Sequence, residues 1–321
     1  MKKPVVFFIV GPTASGKTEA AVYAAKRLDG EIVSADSIQI YKNLDIGSAK
    51  PSETEKGGVP HHLLDFVDYT DESYNAARFA SDASKVIGGI LERRKTPLVV
   101  GGTGLYINSL LYPLDFTHAE PNREIRDRLL SEEEASPGSL HKRLSCVDPA
   151  AANRISPNDL KRTVRALEIY ELTGSSMTDL GGDFLNERKA EIPFHPIIAG
   201  ITMERAVLYE RINKRVDNMI QNGLKDEAWR LYTEANRKRV LSLQGIGYKQ
   251  FLSYFDGEAT FDETVELIKR DTRRYAKRQI SWFKRDKRIR WFDLTGYSSK
   301  DELKKDIVSY FIEERDNYER G

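Results

Sequence analysis

Short apolar runs rich in β-branched residues recur along the chain, and longer polar segments separate them. The runs occupy residues 5–10, 31–35, 62–67, 98–100, 197–201 and 290–294. Each of the first four is followed by a segment long enough for a helix, and this alternation predicts a parallel sheet with helices on both faces. Because ligands of such sheets bind at the carboxyl ends of the strands, the residues after the runs are the first candidates for a functional site.

The interval 115–195 breaks this alternation, since it is dense in charge and has no strand-like run. We interpret it as a helical insertion, whose clearest helix follows Pro157, has Asn158 as its cap and ends at Gly174. Further helical patterns cover 204–223, 224–235 and 262–287. The predicted organisation is a first core part at 1–115, a helical insertion domain at 116–195, and a second core part with basic C-terminal helices at 196–321.

A complete phosphate-loop motif, G-x-x-x-x-G-K-T, follows the first run. It comprises Gly11, Pro12, Thr13, Ala14, Ser15, Gly16, Lys17 and Thr18. In this motif the glycines let backbone N–H groups surround phosphate oxygens, the lysine adds positive charge, and the threonine offers a hydroxyl to Mg²⁺. The dipole of the following helix adds to this field. We therefore expect an α/β fold with a P-loop parallel-sheet core flanked by helices, a bound diphosphate or triphosphate, and Mg²⁺ as cofactor with Thr18 as its ligand.

Asp36 directly follows the second run, so its carboxylate is expected at the same rim as the phosphate loop. Two catalytic roles compete, a general base for an incoming acceptor and an acidic group that holds Mg²⁺ or its water. The alternative is a carboxylate that only caps the following helix. Ser37 and Gln39 come next and could hydrogen-bond a flat polar substrate.

The fourth run enters Gly-Gly-Thr-Gly at 101–104 instead of the acidic residue that ATP-hydrolysing enzymes place after a second apolar strand. Asp65 and Asp68 are possible substitutes, but polar residues interrupt their segment, so ATP hydrolysis is weakly supported. The glycines indicate either a close approach of the backbone to another object, with Thr103 as a donor, or a tight strand-to-helix turn.

Three arginines, Arg205, Arg211 and Arg215, lie in the helical pattern after the fifth run. Arg211 and Arg215 are spaced to share a helix face, so one or both could neutralise a departing pyrophosphate. A solvated basic face explains them equally well.

Two further segments concentrate positive charge. Residues 269–285 are strongly basic and interleaved with aromatic residues, while Lys161, Arg162 and Arg165 project from one side of the insertion helix. The other side carries Leu160, Val164 and Leu167. Basic patches on two domains favour a clamp around RNA or DNA over solvated faces.

The composition limits the remaining possibilities. With 321 residues and 40% hydrophobic content, the chain can fill one large α/β core and a smaller domain, and its net charge of +1 predicts no global attraction to nucleic acid. The single cysteine, Cys146, excludes an intrachain disulfide and favours a reducing compartment. No signal peptide fits and no membrane span is expected, so we predict a cytoplasmic protein. His61 and His62 are adjacent and cannot share a zinc ion in a strand.

Seven motifs together resemble the bacterial tRNA dimethylallyltransferases, in the same order and across nearly the whole chain. They are GPTASGKT at 11–18, SADSIQIYKNLDIGSAKP at 34–51, PHHLLD at 60–65, VGGTGLY at 100–106, NDLKRTVRALEIY at 158–170, LQGIGYKQ at 243–250 and AKRQISWF at 276–283. This family transfers a dimethylallyl group from dimethylallyl diphosphate to N6 of the adenosine just 3′ of a tRNA anticodon. The resemblance implies a transferase of tRNA processing that acts on the anticodon stem-loop, as a monomer without a membrane partner.

The resemblance also implies roles for individual residues. The phosphate loop would hold the donor diphosphate, Asp36 would be the general base, and Lys17, Thr18, Mg²⁺ and Arg211 would stabilise the leaving pyrophosphate. The insertion and the basic C-terminal helix would bind tRNA around a flipped adenine. The implied tRNA contacts are Asp36, Ser37, Ile38, Gln39, Thr103, Lys161, Arg162, Thr163, Val164, Arg165, Gly245, Ile246, Gly247, Tyr248, Lys249, Gln250, Arg273, Arg274 and Arg278.

Three rival functions remain at this point. A P-loop small-molecule kinase with ATP as its nucleotide explains the phosphate loop but not the basic patches. A non-catalytic or ATP-fuelled RNA-binding protein explains the patches but gives no role to Asp36 or the 101–104 turn. An adenine-nucleotide prenyltransferase, as in cytokinin formation, explains the chemistry, but the insertion and the basic helix favour a polynucleotide acceptor.

Overall fold

The computed structural model describes residues 2–112, 122–179, 192–236 and 240–321. The chain forms two compact units. The larger joins Met1–Leu111 with Pro193–Gly321, and the smaller is Tyr112–Ile192. The expected boundary at 115/116 lies outside the described residues, and the strand that returns to the larger unit begins at His195, one residue before the expected second boundary.

A six-stranded parallel sheet forms the centre of the larger unit, as far as the structure describes it. Its strands, in chain order, are β1 Val5–Val10, β2 Gly30–Ala35, β3 His61–His62, β4 Thr96–Gly101, β5 His195–Thr202 and β6 Arg290–Asp293. Their order across the sheet is β3-β2-β4-β1-β5-β6. Ile9 of β1 lies opposite Val100 and Ala199 of the two neighbouring strands. The predicted α/β class is confirmed.

Helices follow most of the strands. They are α1 Lys17–Arg27, α2 Glu53–Lys56, α3 Ala76–Glu92, α4 Gly104–Leu111, α5 Arg123–Ala135, α6 Ser139–Val147, α7 Pro149–Arg154, α8 Leu160–Thr173, α9 Arg205–Gln221, α10 Leu224–Glu234, α11 Lys249–Phe255, α12 Phe261–Phe283 and α13 Lys300–Arg320. Most residues of the central strands are apolar and buried, because helices cover the sheet. Phe7 of β1 stacks on Phe311 of α13 at 4.5 Å between ring centroids. Among the described residues, no helix is both long and apolar enough to cross a membrane.

Two expectations about the first half of the sheet are wrong. The run at 62–67 gives only the two-residue strand β3, because Leu63 and Asp65 adopt left-handed backbone angles, φ 55° and 58°, that end an extended chain. The second run is not followed by a long helix either. Turns occupy most of residues 37–49 before the four-residue α2, so this crossover is a loop that is free to line a site.

The smaller unit contains α5–α8 around its own apolar core, which includes Leu129, Leu144 and Leu167. Helix α8 ends at Gly174 in the left-handed conformation, as expected, but its N-cap is Asp159 rather than Asn158. The carboxylate of Asp159 accepts the N–H of Arg162, which is the bond that selects this residue as the cap.

Candidate active site

A cavity of about 390 Å³ opens in the larger unit where β1, β2 and β4 end. The phosphate loop, the segment after β2 and the 101–104 turn all contribute to its wall, as expected from their positions after parallel strands. The remaining wall comes mainly from α9, α12 and residues 244–249, with His61 and Leu64. Its polar lining includes Thr13, Lys17, Thr18, Ser34, Asp36, Ser37, Gln39, Ser48, His61, Arg215, Gln244, Lys249, Thr272, Tyr275, Arg278 and Gln279.

The phosphate loop has the backbone geometry that its glycines predict. Gly11 and Gly16 have positive φ, 149° and 93°, and a Cβ at Gly11 would lie 2.4 Å from the carbonyl oxygen of Ile201. Gly16 is the N-cap of α1 and has no side chain to satisfy the helix's first N–H groups. The loop therefore presents backbone donors at the end of a helix dipole, the arrangement that binds phosphate.

Lys17 lies in this loop with its ammonium donating to the carbonyl oxygen of Pro12 at 2.6 Å. Burial, and then the charge of Arg215, lower the pKa of Lys17 to about 7, against the opposing effect of Asp36. Near neutral pH both the charged and the neutral amine are therefore populated. A bound diphosphate would favour the charged form because it adds negative charge beside Nζ.

Asp36 uses one carboxylate oxygen to fix the turn that follows β2. Its Oδ1 accepts the N–H groups of Ile38 at 2.9 Å and Gln39 at 3.3 Å. The described residues give no hydrogen bond to Oδ2, while the side chain lines the cavity. The carboxylate therefore fixes the turn through one oxygen and is a candidate base through the other, and turns follow it instead of a helix that it could cap.

Other polar residues of the expected acceptor site bond mainly to the protein itself. Thr103 Oγ1 accepts the N–H of Ser37 at 3.0 Å, and Gln39 Nε2 donates to the carbonyl oxygens of Ser48 and Ala49, both at 3.1 Å. The amide nitrogen of Gln39 is thus occupied, contrary to the idea that this amide serves a flat substrate. These bonds hold the loop after β2 in place beside the cavity.

The glycines of the 101–104 turn allow close packing within the protein, which decides between the two readings of this motif. A Cβ at Gly101 would lie 2.1 Å from the carbonyl oxygen of Ala35, and one at Gly104 would lie 2.3 Å from the indole of Trp282. At Gly102 it would lie 2.2 Å from Nε2 of Gln279. The objects that the backbone approaches are the end of β2 and helix α12.

Gln279 connects α12 to both glycine-rich loops. Its Oε1 accepts the N–H of Thr13 at 2.9 Å, and its Nε2 donates to the carbonyl oxygen of Gly102, also at 2.9 Å. Sequence reasoning treated this segment only as a basic surface and missed Gln279. The available signal was its position on the buried face of α12, which it shares with Ile268, Ala276 and Phe283.

The two arginines of α9 have different surroundings. Arg211, expected beside the leaving pyrophosphate, donates from Nε to the carbonyl oxygen of Ala14 at 2.9 Å and lies in a small recess with Ser15 and Lys304. Arg215, one helical turn later, lines the main cavity, where burial lowers its pKa and Asp36 opposes that effect. Arg211 thus contacts the loop, and Arg215 is the α9 arginine that lines the cavity; the role of Arg211 at the leaving pyrophosphate stays a prediction.

Two more lining residues were not expected in a catalytic site. His61 uses Nδ1 to contact the carbonyl oxygen of Val59 at 2.8 Å, and its buried Nε2 has no partner among the residues that the structure describes. Burial lowers the pKa of His61, so the ring is neutral at neutral pH. Burial and the charge of Asp36 raise the pKa of Tyr275 to about 12, so its hydroxyl stays protonated.

The expected tRNA segment 245–250 is divided between the cavity and the core. Gly245, Ile246, Gly247 and Lys249 line the cavity, whereas Tyr248 and Gln250 are buried. Tyr248 donates to Glu227 at 2.7 Å, and Gln250 donates to Asp271 at 2.9 Å. The side chains of Tyr248 and Gln250 thus hold this segment in place and are not accessible to RNA.

The basic residues also differ in accessibility. On α8, Lys161 and Arg162 are exposed, but Thr163 and Val164 are 1% and 5% exposed within the core of the helical unit, so the expected RNA contacts of these two side chains are corrected. Arg165 pairs with Glu168 at 2.7 Å.

On α12, Arg273 donates to Asn213 at 2.6 Å, and the exposed Arg274 lies 3.8 Å from Asp271. Arg278 lines the cavity with its guanidinium 5.7 Å from the ring centre of Tyr275. The described parts of the chain place no carboxylate in salt-bridge range of Arg278. This arginine is therefore available to an anion at the cavity mouth.

The donors present fit a magnesium ion that is held largely by its ligand. The described residues contain no cluster of three or more His, Cys, Asp or Glu side chains that could hold a metal alone. Thr18 lines the cavity and Asp36 has a second oxygen there. Mg²⁺ typically uses one or two protein oxygens, several waters and the substrate's phosphates, so this sparse donor set matches Mg²⁺.

Comparison with known proteins identifies the family of this chain. The model of the IPP transferase family matches residues 39–286, and that of the isopentenyl transferases matches residues 4–70. The chain belongs to the IPP transferase family. The family expected from the motifs is thereby confirmed.

Relatives of this IPP transferase cover it almost completely. A tRNA dimethylallyltransferase of Alkaliphilus oremlandii is 45% identical over 97% of this chain and 98% of its own. The crystal structure of the tRNA isopentenylpyrophosphate transferase of Bacillus halodurans is 40% identical, with a TM-score of 0.74 and 99% of each chain covered. A eukaryotic dimethylallyltransferase, described as acting on tRNA, is 29% identical with a TM-score of 0.80, covering 95% of this chain and 77% of that one.

Proposed function

We propose that this IPP transferase moves a dimethylallyl group from dimethylallyl diphosphate to N6 of the adenosine just 3′ of a tRNA anticodon, with release of pyrophosphate. The observation that supports this most is one cavity that contains both a phosphate loop and Asp36. The names of the relatives, which are tRNA dimethylallyltransferases and tRNA isopentenylpyrophosphate transferases, support the reaction class and the acceptor.

The donor's diphosphate binds to the phosphate loop in this proposal. Backbone N–H groups, Lys17 and Arg215 stabilise the charge that develops on pyrophosphate as the allylic C1–O bond breaks. Thr18 and the diphosphate oxygens would hold Mg²⁺, which supplies a further positive charge for the leaving group when it is bound. The allylic carbon tolerates positive charge, so pyrophosphate departure is the step that these groups assist most.

Asp36 accepts the proton of the acceptor amine. The N6 electron pair forms the new bond to C1, the C1–O electron pair leaves with pyrophosphate, and the N6 proton moves to Asp36 Oδ2. The bonds from Ile38 and Gln39 to Oδ1 fix the direction of the other oxygen. A positioned base of this kind contributes a factor of about 10² to 10⁴.

The adenine reaches Asp36 only if it leaves its stack in the anticodon loop. Ser37, Ile38, Gly245 and Ile246 line the cavity and are the proposed contacts of the flipped base. Lys249 and Arg278 are the proposed contacts of the neighbouring phosphates. On the helical unit, the exposed Lys161 and Arg162 are proposed as further phosphate contacts.

Purified protein incubated with Mg²⁺, dimethylallyl diphosphate and unmodified tRNA tests the proposal by mass analysis of the digested nucleosides. Parallel reactions contain AMP as the acceptor, or ATP with candidate metabolites. We expect prenyl-adenosine from tRNA alone. Prenylated AMP would assign the protein to nucleotide prenylation, and ATP consumption without prenyl transfer would assign it to the kinases.

A further inference from the structure

Glu227 is a buried carboxylate outside the cavity that binds an unusual number of donors. It lies on α10 and is 8% exposed. Oε1 accepts from the N–H groups of Ile46 at 3.1 Å and Gly47 at 3.0 Å, and Oε2 accepts from those of Asp45 at 3.0 Å and Ile46 at 2.9 Å. Oε1 also accepts the hydroxyl of Tyr248 at 2.7 Å.

These bonds join two loops that are far apart in the sequence. Gly47 and Ser48 of one loop line the cavity, as do Gly245, Ile246 and Gly247 of the other. Tyr248 itself is fully buried against Gly47, where an added Cβ would lie 2.5 Å from the tyrosine ring. Glu227 thus fixes the spacing of the two loops without touching the cavity.

The network continues to the proposed base. The carbonyl oxygens of Ser48 and Ala49, directly after the loop that Glu227 holds, accept from the side chain of Gln39. The backbone N–H of Gln39 in turn donates to Asp36 Oδ1. A continuous set of hydrogen bonds therefore leads from α10 to the carboxylate of Asp36.

We propose that Glu227 is a positioning residue for the acceptor, which sets the width of the adenine-binding end of the cavity and the orientation of Asp36. This inference rests on the proposed function, since it assigns the loops at 45–49 and 245–247 to the acceptor. In the proposed function the donor's diphosphate binds among the phosphate loop, α9 and Gln279, none of which bonds to Glu227 among the described residues. Loss of Glu227 should accordingly weaken acceptor binding and turnover and leave donor binding unchanged.

Glu227→Gln is the informative variant because it keeps the size of the side chain. Both carboxylate oxygens accept backbone N–H groups, so either orientation of the amide directs an NH₂ group at a backbone donor. Asp226→Asn is the matched control, since it removes the same charge from the adjacent, exposed residue of α10.

Steady-state kinetics with a tRNA anticodon stem-loop and dimethylallyl diphosphate test the proposal, with binding of a non-transferable donor analogue as a second readout. We expect Glu227→Gln to raise the acceptor KM about tenfold and to lower kcat, with donor affinity within twofold of wild type. Asp226→Asn should match wild type. Unchanged acceptor kinetics, or equal losses for donor and acceptor, would overturn the proposal.

Tyr248→Phe decides the question if Glu227→Gln does not fold, as judged by donor-analogue binding. It removes the hydroxyl bond from Tyr248 to Glu227 and should raise the acceptor KM by a few-fold at constant donor affinity. An unchanged acceptor KM in this variant would then refute the role of Glu227. If wild-type protein prenylates no stem-loop in the same assay, it is the proposed function that fails.

Discussion

The two ends of the cavity use the same pairing of backbone N–H groups with an anion, but in opposite ways. At the phosphate loop, the first N–H groups of α1 have no capping side chain and remain for a ligand's phosphate. At residues 45–47, the protein's own Glu227 already occupies the N–H groups. In the proposed function the substrate would complete the donor end, whereas hydrogen bonds within the protein already hold the acceptor end.

The difference fits the two ligands expected there. A diphosphate carries enough charge to order a loop around itself, and it would add negative charge beside Lys17, whose pKa is lowered to about 7. An adenine base is neutral and offers little energy for ordering. A preformed surface is therefore the more effective way to bind it.

Asp36 lies between the two ends, and its replacement should give the largest effect. Asp36→Asn keeps an oxygen to accept from Ile38 and Gln39 but removes the proton acceptor, so we expect kcat to fall by about 10² to 10⁴. Donor and tRNA affinities should stay within a few-fold. Single-turnover kinetics with equilibrium binding measure both quantities, and near-normal turnover would rule out the general-base role.

Variants of the two α9 arginines test whether catalysis with the donor depends more on an arginine in the cavity or on one that bonds to the phosphate loop. Arg215→Met removes the charge in the cavity and should lower kcat/KM for the donor by about 10². Arg211→Met removes only the bond to Ala14 and should lower it by about tenfold or less. Equal losses in the two variants would contradict the distinction drawn between them.

Gln279→Met is the donor-side counterpart of Glu227→Gln. It removes the bonds to Thr13 and Gly102 at nearly constant volume, so the donor KM should rise about tenfold while the acceptor KM changes less. The same pair of assays measures both variants. If both variants raised the same KM, the two ends would not be separately organised.

The pH dependence of donor binding follows from Lys17. Because its pKa is lowered to about 7, raising the pH from 7 to 8 reduces its charged fraction from about one half to about one tenth and should weaken donor binding by up to about fivefold. The binding should also be accompanied by proton uptake, which calorimetry in buffers of different ionisation enthalpy detects. Lys17→Arg should flatten the profile, and an unchanged profile in that variant would place the ionisation elsewhere.

The smallest expected effect is on the salt dependence of tRNA affinity, and it concerns the exposed surface of α12. Lys277 and Arg278 have no carboxylate in salt-bridge range among the described residues, so they can replace counterions of a bound RNA. Replacing both with Gln should lower the salt dependence of tRNA affinity by about one to two units of slope without changing donor affinity. Lys161→Gln with Arg162→Gln on α8 is the parallel test, and an unchanged slope in either case would remove that surface from the RNA contacts.

The sequence was sufficient for the parts of the site that are contiguous. The phosphate loop, Asp36 and the 101–104 turn each directly follow a strand. The carboxyl ends of parallel strands meet at one edge of the sheet, so these segments come together independently of their side-chain contacts. The roles of Gln279 and Glu227 could not be predicted in this way, because their hydrogen-bond partners lie far along the chain. The same is true of the choice between Arg211 and Arg215. Asp45 and Glu227, for example, are 182 residues apart. Such pairs carry no local pattern.

The strand expected at 62–67 failed for a different reason. Its composition is apolar, but Leu63 and Asp65 adopt left-handed backbone angles that could not be predicted from their residue types. The helix cap was misplaced by one residue because Asn158 and Asp159 are equally good caps, and only the bond to Arg162 distinguishes them.

The contact between Gly102 and Gln279 also limits how this sequence can change over evolutionary time. Any side chain at position 102 collides with the amide at 279, and a shorter residue at 279 leaves Thr13 without its acceptor. Neither position can vary alone at low cost. Positions 102 and 279, which belong to different motifs of the chain, are thus expected to be inherited as a pair, as are positions 104 and 282.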